Sequence, residues 1–588
     1  MQIKDKKAII VGAIGRFGIH FCRELLRNGA ATVVIIGNGD NQENTLNQLN
    51  EEFGQKKVTF VLCDLSNSSD FDAIFKETVR CLGGLDILIN NADLIDETDI
   101  TKSIDVNVTA VIRSTLLGVQ QMEKDLGGKG GIIVNITTIF GLKTIPQLPI
   151  YSSAKQAVLS FSRSFSQPYH YNKTGVKIVM YCPGFSEELE KNVETTLEKL
   201  ENESVIILPQ KAETVAHGLM YLIRCAQNGS IWISENGQPV YEIQLPDVLP
   251  QKQDESELLN FECIEFIEIQ NRKGRRSSAE EKARELAIIK GLVCGKNVII
   301  TGGASGLGYS FVNHFLQHGA KKVAIIDVDE EAGKQAVSAV SKSYGEDRII
   351  FINADTSNYS QILDSFTQLS SLMDSIDIVI NNAGILDERR WEKEISINMN
   401  GMLLVATLAI RFMGKDHEGN GGILVNVAQY FDFKLTAQLP IYTATKFAII
   451  GLSQSLGAPY RYNKTGVRVI AICPGLTETA LTINSPNRLL SRIMKADFVK
   501  NLENLSIQTP YVVADGLMSI LKSGTSGSIW VIENGRSPFE VYTPNYKTLR
   551  RQYKNNFIPT TTLHTIKGRP TQNSRLHDDM RTRLTSCA

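Results

Sequence analysis

Short runs of β-branched and apolar residues alternate with longer, helix-like stretches along most of the chain. In the first half the runs are KKAIIV, TVVIIG, VTFVLCD, DILIN, GGIIVNI and KIVMYC. Runs of this length are typical of buried strands, and their alternation with helical stretches predicts repeated βαβ units. The pattern therefore predicts an α/β fold with a mostly parallel, doubly wound sheet.

The same series returns in the second half as NVIIT, KVAIID, IIFINAD, DIVIN, GGILVNV and RVIAIC. LPIYSSAK (148–155) returns as LPIYTATK (439–446), and PYHYNKTGVKIVMYCPGF (168–185) as PYRYNKTGVRVIAICPGL (459–476). A period of this size corresponds to a whole domain, not to a solenoid repeat. We therefore expect two Rossmann-type domains in tandem.

The repeat sets the expected boundaries. The first domain is expected at 1–245, a linker at 246–288 and the second domain at 289–543. The remaining segment, 544–588, carries nine Lys/Arg against two Asp/Glu and few apolar residues. That composition predicts a basic, largely disordered tail.

Composition excludes few functions but gives several expectations. The 588 residues carry a formal net charge of −1, which gives no footprint for nucleic acid. No uninterrupted apolar run is long enough to span a membrane, and the N-terminus lacks a signal-peptide pattern. The nine cysteines form neither a disulfide framework nor a metal-ligand spacing. We expect a reduced, cytoplasmic protein without a metal site.

A glycine-rich loop, TGGASGLG (301–308), follows a predicted strand and precedes a helical stretch. Glycines at such a junction let the backbone approach a pyrophosphate, and the helix N-terminus attracts its negative charge. The next strand ends in Asp327, whose carboxylate can bind both ribose hydroxyls and would repel a 2′-phosphate. The second half is therefore expected to bind NAD in preference to NADP.

The first half departs at both places. Its loop, VGAIGRFG (11–18), keeps Gly12 and Gly18 but has Arg16 where Gly306 stands. Its second strand ends in Gly37, where the other half has Asp327. Two interpretations are open. Arg16, with no acid at the end of the second strand, could admit NADP, or the cofactor site could have decayed. We favour decay, because other positions change as well.

A glycine loop, an acid, an NNAG motif and a Tyr-x-x-x-Lys motif follow in this order. Each half therefore resembles a short-chain dehydrogenase/reductase, over nearly all of 1–245 and 289–543. NGGI, LPIY and CPG are similar to the branch that holds NAD-dependent 15-hydroxyprostaglandin dehydrogenase and the fly-type alcohol dehydrogenases.

In the second half the resemblance implies a Rossmann-type cofactor site. Asp327 would bind the adenosine ribose, Asp355 would lie by the adenine, and Asn398 would belong to a proton relay. The remaining cofactor residues would follow the dinucleotide from the pyrophosphate to the nicotinamide: Gly302, Ser305, Gly306, Leu307, Gly308, Asn382, Ala383, Gly384, Pro474, Gly475, Thr477 and Thr479.

Tyr442 and Lys446 are the expected base and its partner. Residues four apart lie on one face of a helix. A free phenol titrates at a pKa near 10, and a neighbouring ammonium lowers that pKa by favouring the phenolate. The resemblance also implies that Lys446 binds the nicotinamide ribose. A lone Tyr-x-x-x-Lys is usually an ordinary amphipathic helix, but two copies at matching distances behind the loops make that unlikely.

Neither half is complete by the family pattern. The family places a serine thirteen residues before the tyrosine; this position is Gln429 in the second half and Thr138 in the first. The first half keeps the chemical groups Asn107, Tyr151 and Lys155, and the cofactor positions Asp64 and Asn91. There, however, Asp93 replaces the glycine of NNAG and could place a negative charge near an anionic cofactor.

The segments after the two CPG turns also differ. The second carries apolar residues that suit either a lid over a lipid-like substrate or a helix packed on the domain: Leu489, Leu490, Ile493, Met494, Phe498 and Val499. Its counterpart, 186–204, is acidic and poor in apolar residues. The first segment is therefore not expected to cover an apolar pocket, and for the second segment both interpretations stay open.

Three hypotheses follow. The first is an NAD-dependent oxidoreductase for a secondary alcohol or ketone such as a hydroxylated lipid, with the tyrosine helices of both halves facing a shared interface in an intramolecular pseudo-dimer. The second is a catalytically impaired binding or storage protein, which Gln429 and the altered first half favour. The third is that two neighbouring duplicated genes were joined in error.

Overall fold

The computed structural model of the chain describes residues 1–12, 17–38, 42–186, 209–252, 291–429 and 437–551. Met1–Arg550 form one compact unit that contains both halves. Each half is built around its own eight-stranded sheet. Each of the β-branched runs named above forms a strand, so the tandem α/β prediction is confirmed.

The two sheets have the same strand order, β3-β2-β1-β4-β5-β6-β7-β8 and β11-β10-β9-β12-β13-β14-β15-β16. All neighbours pair in parallel except the last pair in each sheet, which is antiparallel. The strands of the first sheet are β1 Lys7–Val11, β2 Thr32–Gly37, β3 Val58–Leu62, β4 Ile87–Asn90, β5 Gly131–Ile136, β6 Val176–Pro183, β7 Ile231–Ser234 and β8 Tyr241–Ile243. Those of the second are β9 Asn297–Thr301, β10 Lys322–Asp327, β11 Ile349–Asn353, β12 Ile378–Asn381, β13 Gly422–Val427, β14 Val467–Pro474, β15 Ile529–Ile532 and β16 Phe539–Val541.

Helices flank both sheets. The α-helices of the first domain are Gly18–Arg27, Gln42–Phe53, Ser68–Leu82, Ile100–Ile104, Ala110–Met122, Pro149–Phe165, Pro168–Thr174 and Ala212–Cys225. Those of the second domain are Gly306–Gln317, Glu330–Tyr344, Tyr359–Leu372, Trp391–Ile395, Met402–Met413, Pro440–Leu456, Pro459–Thr465, Ala480–Asn484, Lys495–Glu503 and Pro510–Ser523. Pro149–Phe165 is called the first tyrosine helix below, and Pro440–Leu456 the second tyrosine helix.

Local sequence explains where these helices begin. Both tyrosine helices have proline in their first turn, where the missing N–H costs nothing and the fixed φ suits the helix. Asn67 and Asn358 cap the N-termini of two other helices, each accepting a hydrogen bond from a backbone N–H three residues ahead. These four helices therefore begin where the chain supplies a first-turn proline or a capping asparagine.

The two tyrosine helices pack against each other and form the centre of the interface between the domains. Residues of both helices, including Phe161 and Phe447, belong to one continuous apolar cluster. Each helix is therefore buried on nearly every side, by its own sheet and by the opposite helix. The predicted packing of the two halves through these helices is confirmed.

Polar contacts fix the register of this interface. The Ser455 hydroxyl donates to Ile145 O at 2.6 Å, and Arg461 Nε donates to Pro146 O at 2.5 Å. His170 Nε2 lies 2.5 Å from Ala437 O. Burial lowers the pKa of His170 to about 4, so the ring is neutral at pH 7 and donates this hydrogen bond.

The domains also exchange short arms. Gln244 N donates to Leu549 O, so the chain after the second domain pairs with the end of the first sheet. Lys252 N donates to Glu540 O, so the chain after the first domain pairs with β16 of the second sheet. The exchange is reciprocal and stabilises the pseudo-dimer.

This exchange corrects the expected start of the disordered tail. Residues 545–550 pack on the first domain, where Tyr546 is 3% exposed and donates to Glu235 at 2.8 Å. Apolar contact outweighs the basic composition there, because Tyr546 and Leu549 join an apolar cluster of the first domain. Most of the predicted tail, 552–588, and most of the predicted linker, 253–288, lie outside the described residues.

One stretch, Glu388–Met413, is long and apolar enough to cross a membrane by length and composition alone. However, 67% of its apolar window is buried inside the fold. Packing in the core of the second domain therefore accounts for its composition.

A larger side chain at Gly451 tests the helix pairing. A Cβ at this position would overlap Oε1 of Gln156 on the opposite helix. Gly451→Leu should therefore cost about 1–3 kcal/mol of stability through overpacking, seen as a lower midpoint of thermal unfolding. Gly291→Leu is the control, since a Cβ there meets open space. Equal midpoints for the two variants would contradict a tight interface.

Candidate functional site

A cavity of about 380 Å³ lies at the carboxyl ends of the strands of the second sheet. Ligands of open α/β sheets bind at this edge. The cavity is lined by every second-domain residue that the sequence assigned to the cofactor or to catalysis except Asn398, together with apolar residues such as Ile385 and Leu481. The fold therefore brings these positions, which are far apart in sequence, to one place.

The glycine loop packs too closely on the surrounding backbone to accept side chains at two positions. A Cβ at Gly302 would lie 2.9 Å from Cα of Ala383, and a Cβ at Gly308 would overlap Gly302 O. Gly306 has φ +53°, in the left-handed region, and begins the helix Gly306–Gln317. The loop is therefore a bare backbone cradle at a helix N-terminus, which fits a pyrophosphate.

Asp327 ends β10 beside this cradle. One carboxylate oxygen accepts from Ala304 N at 3.0 Å and the other from Asp329 N at 3.1 Å. These bonds orient the carboxylate and leave further lone pairs for a ribose. Asp355 is held in a similar way by Ser357, whose N–H and hydroxyl both donate to Oδ1.

Asn398 lies behind the cavity in a π-helical stretch, Ser396–Gly401. Its Oδ1 accepts from Ile385 N and its Nδ2 donates to Ile385 O, both at 2.8 Å. Such π-bulges are frequent at functional sites. Asn107 makes the matching pair of bonds with Leu94 in the first domain.

Tyr442 and Lys446 face the cavity from the second tyrosine helix. The Tyr442 hydroxyl donates to Gln429 Oε1 at 2.5 Å, so Gln429 takes the place at the tyrosine that the family serine was expected to have. Lys446 Nζ donates to Val427 O at 3.2 Å and lies 5.6 Å from the centre of the Tyr442 ring. The amide of Gln429 thus holds the phenol in its neutral, donating form.

Electrostatics in this site differ from the simple expectation. Burial raises the pKa of Tyr442, and the Glu394 carboxylate raises it further. Burial lowers the pKa of Lys446 to about 8. The ammonium is directed at Val427 O instead of the phenol oxygen, so the expected lowering of the phenol pKa is not found.

The first domain places the same groups in a different arrangement. Asp93 Oδ1 accepts from the Tyr151 hydroxyl at 2.7 Å and forms an ion pair with Lys155 Nζ at 2.9 Å. Asp93 replaces the glycine that corresponds to Gly384. A single carboxylate thus engages both chemical groups at the position where the second domain has open space.

Other first-domain positions fit this arrangement. The Thr138 hydroxyl accepts from Phe140 N at 3.1 Å, so it caps a turn. Gly12, with φ +131°, packs so closely on Asn91 that a Cβ would lie 2.6 Å from the Asn91 backbone. Gly18 begins its helix, and Asp64 binds Ser66 as Asp355 binds Ser357. Arg16 lies outside the described residues.

Sequence reasoning missed two buried acids in the second domain. Glu388 Oε1 accepts from Tyr442 N at 2.8 Å and from Ile441 N at 3.0 Å, at the start of the second tyrosine helix. Glu394 is fully buried nearby. In the sequence ERRWEKEISIN (388–398) they resemble an exposed charged stretch, so the local pattern gave no sign of their burial. The one available signal was that the repeat has a glutamate, Glu97, at the position that matches Glu388.

The apolar segment after the second CPG turn is partly buried against the second domain. Leu489 and Phe498 are buried and form one cluster with Tyr442, Leu386 and Leu439, while Met494 packs against it. Ile493 is 79% exposed and Leu490 and Val499 are half-buried, so the predicted apolar face is only partly covered. Most of the acidic counterpart in the first half lies outside the described residues.

A family model described as short chain dehydrogenase matches residues 6–197 and again 296–489. The chain belongs to the short-chain dehydrogenase family. Both matched segments contain a tyrosine helix and a glycine loop, so the tandem repeat is a duplication of a family domain.

Curated relatives of this family match one domain's length. The human protein named 15-hydroxyprostaglandin dehydrogenase (NAD+) is 31% identical over 266 residues, which are 45% of this chain and 98% of that protein. Alcohol dehydrogenase 2 of Ceratitis capitata is 31% identical over 245 residues, 40% of this chain and 94% of that protein. Among solved structures, levodione reductase is 23% identical over 42% of this chain and 98% of its own, with a TM-score of 0.36.

The role of Asp93 can be tested by copying it into the second domain. A Cβ at Gly384 would lie 3.4 Å from Lys446 Nζ, so Gly384→Asp should recreate the ion pair that Lys155 has. We expect its affinity for a nicotinamide dinucleotide to fall at least tenfold, about 1.4 kcal/mol, measured by calorimetric titration.

Gly384→Ala is the control, because it adds the Cβ without the charge. Its Cβ would lie 3.1 Å from Asn398 Oδ1, so some loss through crowding is expected. Equal losses in both variants would show that crowding, not the carboxylate, excludes the cofactor.

Proposed function

We propose that the protein is an NAD-dependent oxidoreductase that acts on the CH–OH group of a secondary alcohol, with its chemistry in the second domain. The observation that carries the proposal is one cavity that combines a glycine cradle, Asp327, Tyr442 and Lys446. Membership of the short-chain dehydrogenase family supports the reaction class.

The choice of NAD rests on Asp327. Its carboxylate stands at the end of β10, held by two backbone N–H groups, with oxygen lone pairs left for ribose hydroxyls. A 2′-phosphate at that place would meet a fixed negative charge. The name of the human relative, which includes NAD, agrees with this choice.

The chain's own residues supply the proton chemistry. Tyr442 Oη would accept the alcohol proton, and Lys446 would stabilise the phenolate as the ammonium turns from Val427 O towards it. Gln429 would hold the substrate oxygen with its amide N–H group. Bound NAD would accept the hydride from the alcohol carbon.

The cavity favours an apolar substrate. Ile385, Val427 and Leu481 line the cavity, while Leu386, Leu439, Leu489 and Phe498 lie outside that lining and form a buried cluster with Tyr442. Burying an apolar chain there would be favourable because each buried methylene contributes about 0.8 kcal/mol. A hydroxylated lipid fits this lining, and the names of the relatives include a prostaglandin dehydrogenase.

A second candidate is a non-enzymatic binding protein derived from the same family. The observation that favours it is the bond from Tyr442 to Gln429 Oε1, because an acceptor at the phenol stabilises the neutral form and opposes the phenolate. In that case the cavity would bind NAD or an apolar ligand without turnover.

Matched tyrosine variants test the proposal. The full chain should reduce NAD with a panel of hydrophobic secondary alcohols, followed by NADH absorbance. Tyr442→Phe should lower turnover at least about 100-fold, because it removes the group that accepts the proton. Tyr151→Phe is the control, and its turnover should stay within about twofold of that of the natural chain, because the Tyr151 hydroxyl already donates its hydrogen bond to Asp93.

Loss of activity in Tyr151→Phe instead would place the chemistry in the first domain. If the natural chain turns over none of the alcohols and the Gln429→Ser variant turns over at least one, the result favours the binding-protein hypothesis. Calorimetry measures NAD binding separately. If a chain without turnover still binds NAD, the cofactor assignment is supported and the proposed reaction is rejected.

A further inference from the structure

The chain after the second CPG turn leaves the edge of the sheet and returns to it at the same place. Gln508 N donates to Leu476 O at 2.9 Å, and Glu478 N donates to Gln508 O at 2.8 Å. Residues 478–507 therefore form an excursion that is closed at its base, called the cover segment below. Leu481 of this segment lines the cavity, so the segment stands beside the candidate site.

The inner side of the cover segment is held by apolar contacts with the second domain. Leu489 and Phe498 are buried in the cluster that also contains Tyr442. Met494 and Leu502 pack against the same cluster. Packing on the domain therefore accounts for these side chains, but not for apolar side chains of the segment that point into solvent.

Three isoleucines of the cover segment point into solvent. Ile483 is 64% exposed, Ile493 is 79% exposed and Ile507 is 58% exposed. No other isoleucine in the described part of the chain is exposed. A single exposed apolar side chain is ordinary on a protein surface, but a gathering of large ones marks an interaction surface. The cover segment is therefore the place to look for such a surface.

Ile483 and Ile493 are presented by one folded unit. A short turn that ends at Asn487 contacts the helix that carries Ile483, and the helix Lys495–Glu503 contacts both this turn and the turn that carries Ile493. The first residue of that helix, Lys495, donates from Nζ to Asn487 Oδ1 at 2.7 Å. The two isoleucines therefore project from elements that pack on one another.

The charge around Ile493 is positive. Arg492 and Lys495 are exposed on either side of it. Residues 477–495 carry three basic side chains against one acidic, whereas 186–204, which match them in the repeat, carry seven Glu against two Lys. Of the two halves, only the second therefore combines apolar and basic side chains in this segment.

Further basic residues follow Leu386, which belongs to the buried cluster that holds the cover segment. Arg389 is exposed, and Lys393 is exposed and lines the cavity. The exposed acids Asp497 and Glu503 lie in the last helix of the cover segment, after Lys495. An anionic surface laid against the turn of Ile493 would therefore meet mainly positive charge.

We propose that the cover segment docks on an anionic membrane surface. Ile483 and Ile493 would enter the interface between headgroups and acyl chains, while Arg492 and Lys495 pair with anionic headgroups. A stable protein partner would need about 800 Å² of well-packed surface on each side. Separate apolar side chains between basic ones suit a fluid lipid surface better, because lipids rearrange around each of them.

The consequence for catalysis rests on the proposed function. The inner side of the cover segment, with Leu481, lines the cavity, and its outer side would touch the membrane. An apolar secondary alcohol dissolved in the bilayer would then reach the cavity over a short path with little exposure to water. Docking itself does not require the reaction.

Vesicle sedimentation tests the docking without turnover. The full chain should bind vesicles of phosphatidylcholine with phosphatidylserine, more weakly at high salt, and vesicles of phosphatidylcholine alone more weakly still. The paired change Ile483→Ser and Ile493→Ser should lower the affinity for the mixed vesicles at least about tenfold, because two apolar side chains no longer enter the interface.

The paired change Leu62→Ser and Leu126→Ser is the matched control, since these side chains are 68% and 70% exposed on the first domain. It should leave vesicle binding unchanged, and equal unfolding midpoints would show that both paired variants keep the fold. No binding by the natural chain, or equal losses in the two paired variants, would overturn the proposal. A dimer that only the isoleucine change abolishes, without vesicle binding, would assign the surface to a second copy of the chain and overturn it too.

Turnover separates a failure of docking from a failure of the proposed function. Arg492→Glu should lower turnover of an apolar secondary alcohol held in the mixed vesicles at least about fivefold, and keep turnover of a water-soluble secondary alcohol within about twofold. Vesicle binding without any turnover would support the docking and reject the proposed function. Turnover without vesicle binding would reject the docking and leave the proposed function in place.

Discussion

The structure depends on the need of a buried lysine for a negative partner. Each domain places a lysine under its tyrosine, almost removed from water, and an unpaired charge there costs several kcal/mol. The first domain meets the need with Asp93, which also accepts a hydrogen bond from the Tyr151 hydroxyl. That solution is stable, but it places a carboxylate where a cofactor would bind. The second domain leaves this place open.

The first domain keeps its fold for a physical reason that does not require its chemistry. It covers one whole side of the second tyrosine helix, and the buried cluster continues through both helices. Arg113 of the first domain pairs with Glu392 at 3.2 Å and lies over the ring of Trp391. Trp391 begins the helix that leads to Glu394 and the π-helical stretch of Asn398. The first domain thus supports the segment that carries part of the second domain's site.

Much of the fold could be predicted from the sequence, because βαβ units leave strong periodic patterns and the repeat doubles the signal. The runs from KKAIIV to RVIAIC all form strands. The short strands Ile231–Ser234 and Tyr241–Ile243 were not predicted, because runs of three or four residues carry little periodicity. The packing of residues 545–550 on the first domain was also not predicted, since the contact of Tyr546 with that domain depends on tertiary packing that composition does not report.

The motifs of the candidate site could be predicted from the sequence, but the pairing and burial of its charged side chains could not. Glycines, Asp327, Tyr442 and Lys446 stand at spacings that chemistry explains, and the structure brings them to one cavity. The ion pair between Asp93 and Lys155 and the burial of Glu388 and Glu394 depend on which face of a helix meets which loop. No local pattern encodes that, because the charged stretch around Trp391 is indistinguishable from a solvated helix until the second tyrosine helix covers it.

The number of NAD sites per chain tests the central claim most directly. Calorimetric titration of the full 588-residue chain, repeated with NADP and with Asp327→Ala, gives this number. The account predicts one NAD site per chain, lost in Asp327→Ala, and much weaker NADP binding. Two sites, or one site that survives Asp327→Ala, would show that the first domain binds a cofactor despite Asp93 and would contradict the account.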